Sequence, residues 1–304
     1  MATTVRPRPT PTTERRRRHA DSSFSSGVRS RADRVRATIS YVVLGVGSIS
    51  FIMPFIWMLT TSLKTDDQIY SYPIQWIPKP FVWHTYVELF QEGPFLRYIA
   101  NTMILAFFGV IFSLFGSSIA AYAFARLRFP GKDAMFFIML ATVMIPSWVT
   151  LIPSFILFGK LGWLDTYLPI LVPALFATPF NTFLLRQFFM SIPQELEDAA
   201  KVDGAGTVRC FILIVLPLAK PALIIVGLFA FLYYWNEFLG PLIYLSSDDK
   251  FPISLGILNF AGEQSQNYAL MMAAATVALA PCVILFFIAQ RWFVQGIVIT
   301  GVKG

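Results

Sequence analysis

At 304 residues, with 56% hydrophobic and only 13% charged side chains, the chain carries more apolar surface than one soluble core can bury; an average soluble domain is about a quarter charged. The net charge of +7 does not point to nucleic acid, because ten of the 24 Lys and Arg residues precede Thr38 and the rest are scattered without aromatic interleaving. Two cysteines, Cys210 and Cys282, and two histidines, His19 and His84, stand in unrelated segments. They exclude a disulfide framework, a metal site and a Cys/His nucleophile.

Residues 1–37 are rich in Arg, Ser, Thr and Pro and poor in aliphatic side chains. They read as a disordered basic cytoplasmic tail beside the membrane, touching anionic lipid, and not as a signal peptide, since a full-length apolar run follows without a cleavage pattern. Residues 38–304 hold six apolar segments, at 38–63, 98–124, 135–158, 168–189, 218–244 and 270–289. Each reaches roughly 20 residues, the length a helix needs to cross about 30 Å of hydrocarbon. The runs are continuous rather than alternating, which predicts helices, so the fold class is all-α: a polytopic membrane protein of six transmembrane helices. With both termini inside, nineteen of the 24 basic residues are cytoplasmic, leaving Lys64, Lys79, Arg97, Lys160 and Lys250 outside. Prolines punctuate the spans, and the fourth, with Pro169, Pro173 and Pro179, is expected to be kinked.

The charge pattern places residues 191–217 in the cytoplasm. Ser191 and Gln194 have capping-box spacing, Pro193 sits near the first helical position, and Glu195, Glu197 and Asp198 suit the positive end of a helix dipole. Leu196, Ala199 and Ala200 share a face, and Gly204 and Gly206 are expected to end the helix. A second, amphipathic run then leads to Pro217. The hairpin suits a groove on another protein; the alternative is a surface hairpin with no partner.

Asp198-Ala199-Ala200, then Gly204, Ile214 and Leu216-Pro217, resembles the cytoplasmic signature of ATP-binding-cassette importer permeases, spaced alike at every step. Asp198 replaces the usual Glu and shortens the side chain by one methylene. Residues 54–64 (Pro-Phe-Ile-Trp-Met-Leu-Thr-Thr-Ser-Leu-Lys), 94–97, 235–238 (Trp-Asn-Glu-Phe), 293–297 and 301–304 look like stretches of the carbohydrate-uptake branch, and there the chain is similar to the second permease of maltose-type systems.

The resemblance implies a type I importer permease in a bacterial or archaeal plasma membrane. Its expected partners are a second permease subunit, two copies of a cytoplasmic ATPase, an extracytoplasmic solute-binding protein and a sugar-type substrate. ATP and Mg belong to the ATPase; this chain has no Gly-rich phosphate loop, binds no cofactor or metal and is not itself an enzyme. Asp198, Ala199, Ala200 and Gly204, with Glu195, Glu197 and Asp203 alongside, are implied to dock on the ATPase. Val302 and Lys303 are a further implied contact, with a frayed terminus as the alternative. Polar groups inside spans mark a solute path or helix contacts: Asn181, Thr182, Tyr233, Tyr234, Asn236 and Glu237 are the candidates, and Trp235-Asn236-Glu237 alternatively packs on the partner permease. An importer of glycerol phosphate or another solute is the nearest rival, and an ATPase-independent secondary transporter the more distant one.

Overall fold

The computed structural model describes residues 31–91, 93–260 and 267–300, except the side chains of 31–34 and 291–300. Among them there is helix and no strand. The chain divides into two units, Met1–Phe55 and Ile56–Gly304. Helix α1 (Arg31–Thr61) supplies the described part of the first unit and the opening residues of the second, and it begins ahead of Thr38, so the expected tail gives up its last residues to the helix. Val43, Ile49 and Phe51 are exposed along it, the surface of a helix made for lipid. Residues 1–30 lie outside the described residues, as do Val302 and Lys303.

In the second unit α2 (His84–Gln91) leads into α3 (Phe95–Arg126), a 32-residue post. There follow α4 (Lys132–Ala141), α5 (Ser147–Lys160), α6 (Leu168–Leu171), α7 (Pro179–Ser191), α8 (Glu195–Val202) and α9 (Thr207–Cys210). Beyond them come α10 (Lys220–Asn236), α11 (Leu239–Tyr244), α12 (Ile253–Asn259) and α13 (Tyr268–Thr300). Among the described residues four helical stretches are long and apolar enough to cross a membrane, and six if two bent pairs each count as one span. All six expected segments are therefore helical.

The post packs against α7 and α10 through small residues. A Cβ on Gly109 would fall 2.3 Å from the Tyr234 ring, and one on Gly116 would fall 2.4 Å from the Leu175 carbonyl oxygen. Such close approach is how helices gain packing in lipid, where water provides no drive to associate. At the hairpin end Tyr122, Leu185, Phe189, Val215 and Val226 form a buried cluster. At the other end Leu89, Phe95, Tyr98, Ile253 and Leu270 form another.

The sharpest bend, 99°, falls in the third segment between α4 and α5, at Ile145-Pro146. The fourth segment is interrupted rather than simply kinked. Pro169, Pro173 and Pro179 each stand at the start of a fresh helical piece, and Ala177 between the last two has φ 57°. Proline at the first turn costs no hydrogen bond, so these residues restart the helix where they were expected to bend it.

The loops opposite the hairpin are latched. Asp165, at φ 58°, accepts the amides of Ser246 and Ser247 at 3.0 Å and the Lys250 ammonium at 2.6 Å. Lys250 and the Ser247 hydroxyl, with those amides, hold the Asp165 carboxyl well below the usual carboxylate range. A depressed carboxylate stabilises the fold above its unfolded value and loses that effect only as pH falls through the folded one. Proteolysis in the 161–167 loop should therefore be unchanged between pH 7 and pH 5 and should accelerate at both in Asp165→Ala. The packing makes a second prediction. Gly116→Ala should cost about 1–3 kcal/mol through overpacking against a backbone carbonyl, read as a lower melting temperature in detergent. Gly227→Ala, whose added carbon meets ordinary contact at 3.5 Å, should be neutral.

Candidate functional site

The hairpin is built from its turn outward. Helix α8 carries Glu195, Glu197 and Asp198 in its first turn and stops at Gly204, whose φ of 85° closes a left-handed cap. The Ala205 amide donates to Ala200 O at 2.9 Å and that of Gly204 to Lys201 O at 3.0 Å, satisfying the orphaned carbonyls. Gly206, at φ −75°, is extended backbone that begins α9 rather than part of the stop. The expected capping box does not form. Helix α7 runs on to Ser191, whose hydroxyl donates to Phe188 O at 2.7 Å, and Gln194 precedes α8 without a side-chain capping bond. Past α9 the helix continues through a π turn, Phe211–Val215, to Leu218 and meets α10 at 80°.

Glu195, Leu196, Asp198, Ala199, Asp203 and Gly204 are exposed, and Ala200 is half-buried. Val202, 88% exposed at the tip, extends that face with an apolar side chain that the sequence reading did not include. Lys201 pairs with Asp198 across one turn at 3.0 Å, and that hydrogen bond raises the Lys201 ammonium.

Glu197 does not share this face. It is 2% exposed, and its Oε1 lies 2.9 Å from Arg126 Nε at the end of α3. The Tyr122 hydroxyl donates to Glu197 Oε2 at 2.9 Å, and Arg126 Nη2 donates to Ile192 O. One Arg126 guanidinium thus grips both the start of the hairpin and its first helical turn. The Tyr122 ring packs on Phe211 with centroids 4.8 Å apart, tying in the second half of the hairpin. Helical rotation accounts for the difference: successive side chains are turned by about 100°, so Glu197 is aimed at α3 while Leu196 and Asp198 are not.

In the spans, a cavity of 610 Å³ opens between α5, α7, α10 and α11. It gathers Asn181, Tyr233, Tyr234 and Glu237. Thr182 is not part of its wall; that side chain is fully buried, its hydroxyl without a hydrogen-bond partner among the described residues. Asn236 is also absent from the wall and donates to Leu232 O at 2.8 Å on its own helix. Trp235 is buried within the chain and donates to Ala278 O at 2.9 Å, so its ring does not await a partner permease. Asn181 donates to Ser113 at 2.9 Å. The opposite wall is Ser147, Thr150 and Ser154 of α5, residues the sequence reading passed over. Their i, i+3, i+7 spacing inside an apolar run was the available signal. Among the described residues no group of His, Cys, Asp and Glu could hold a metal ion.

The family described as "binding-protein-dependent transport system inner membrane component" matches residues 113–299. The diacetylchitobiose uptake system permease protein of Streptomyces coelicolor is 32% identical over 263 residues, 86% of this chain and 87% of that one. The sn-glycerol-3-phosphate transport system permease protein of Yersinia pestis is 32% identical over 267 residues, 85% of this chain and 94% of that one. Among solved structures, a chain of a bacterial ABC transporter involved in the import of the acidic polysaccharide alginate superimposes with a TM-score of 0.78 at 25% identity, over 87% of this chain and 98% of its own length. With its helical spans, the chain belongs to the family of binding-protein-dependent transport system inner membrane components, the multi-pass permeases of ABC importers.

Proposed function

We propose that this chain forms half of the translocation path of an ATP-driven sugar or oligosaccharide importer in a bacterial or archaeal plasma membrane, with α8 as the lever that an ATPase moves. The observation that carries the reading is the buried clamp of Arg126, Glu197 and Tyr122. A helix docked in a moving cleft transmits force only if it is fastened to a span. Here the fastening is an ion pair between side chains 7% and 3% exposed. Breaking such a pair costs roughly 3–5 kcal/mol, because the remaining charge stays buried and unpaired. In this reading the lever and α3 move together as long as the pair stays closed.

In this reading a second permease supplies the other half of the path. Two ATPase copies hold ATP and Mg and hydrolyse it, and an extracytoplasmic binding protein delivers the solute. The exposed face from Glu195 to Gly204 is what an ATPase cleft receives, and closure of two such clefts shifts the spans from inward-open to outward-open. The relative named for diacetylchitobiose uptake supports a sugar as solute. The relative named for sn-glycerol-3-phosphate transport keeps a phosphorylated polyol as the second reading.

The test uses the complex purified through a tag on this chain and reconstituted in vesicles. Glu197→Ala and Arg126→Ala should assemble with the ATPase yet lose about tenfold in solute moved per ATP hydrolysed. The exchange Glu197→Arg with Arg126→Glu should recover part of that loss. Ala199→Trp, on the exposed face, should instead release the ATPase. Normal coupling in both single variants would contradict the lever, and full ATPase retention in Ala199→Trp would contradict the docking face.

A further inference from the structure

The cavity between α5, α7, α10 and α11 carries charge of one sign. Among the described residues Glu237 is its only carboxylate, and no Lys, Arg or His lines it. The carboxylate is fixed in place, since Glu237 Oε1 accepts the Gly240 amide at 2.8 Å. Facing it, Ser147, Thr150 and Ser154 present three hydroxyls on one helix face, while Asn181, Tyr233 and Tyr234 add an amide and two phenols.

Such a wall has opposite consequences for two kinds of solute. A polyol or sugar exchanges water for hydroxyl and amide partners and can lay an apolar ring face on the tyrosines, at little electrostatic cost. A phosphate or carboxylate must shed a far more costly hydration shell, finds no cation to replace it, and faces a like charge across a medium that screens poorly. We propose that this cavity admits uncharged, hydroxyl-rich solutes and that Glu237 excludes anions from it. The assignment rests on the reading of the cavity as solute path, and it separates a neutral sugar from sn-glycerol 3-phosphate or an acidic polysaccharide.

The labelling step needs no knowledge of the solute. In the intact complex, Ser154→Cys is introduced together with Cys210→Ser and Cys282→Ser, which removes the two native thiols. The probes are three methanethiosulfonates of similar size: a neutral alkyl, a cationic trimethylammonioethyl and an anionic sulfonatoethyl reagent. Relative to the rates of a free thiol in solution, the anion should react at least about tenfold more slowly than the neutral probe. Adding Glu237→Gln should erase most of that difference. Solution-like ratios, or ratios indifferent to Glu237→Gln, would overturn the proposal. The same labelled complex separates the two layers of the argument. If a bulky neutral reagent at position 154 leaves uptake intact, the cavity is not the path and the solute assignment falls with it. If uptake is blocked but anions react freely, the path stands and only the exclusion fails.

Discussion

A buried ion pair fastens the hairpin of this permease to its post, α3. Arg126 closes the hairpin end of α3, and Glu197 is the one buried residue of α8, turned inward to meet it. Every other polar residue of the hairpin faces outward, where a charge costs little to hold and contributes little to the fold. Burying two charges is worthwhile only with close geometry and further hydrogen bonds, which Tyr122 and the Ile192 carbonyl supply. That concentration of electrostatic stabilisation at one point leaves the outward face free for a partner while the inward face stays fixed.

The cavity follows from a different constraint, the need to break helices inside an apolar medium without leaving backbone groups unpaired. Ile145-Pro146 turns the third segment by 99°, and Ala177 divides the fourth. Side-chain hydroxyls cluster where the helices are interrupted: Ser117 and Thr178 lie 3.0 Å apart beside the Ala177 break. Irregular backbone at membrane depth is tolerated where it borders a cavity, and each break here is followed directly by a residue of the cavity wall, Ser147 and Thr178. The bend also turns the hydroxyl face of α5 toward α10, which sets the chemistry of the wall.

Much of this was legible in the residues alone. Span number follows from bilayer thickness, and α8 follows from three acids ahead of a glycine. What depended on distant partners was not legible. Glu197 looked like its neighbours until Tyr122, 75 positions earlier, and Arg126 were brought against it. Ser191 had the spacing of a cap, yet α7 continued through it, and Gly206 proved to start a helix. Three prolines suggested a kink in the fourth segment, but each fell where a helix restarts, and Pro146 made the larger turn in the third. Local pattern identifies elements; which face of an element is buried is decided by what packs on it.

The most direct test of the clamp is a distance measured through the nucleotide cycle. Spin labels at two exposed positions, Arg128→Cys just past α3 and Val202→Cys on α8, report whether lever and post move as one body. In the reconstituted, transport-competent complex the distance distribution should be the same without nucleotide and with a non-hydrolysable ATP analogue, and should broaden when Glu197→Ala is added. A shift of several ångströms on nucleotide binding in the otherwise native chain would show that the hairpin slides on α3, and the clamp would not be the element that carries the motion.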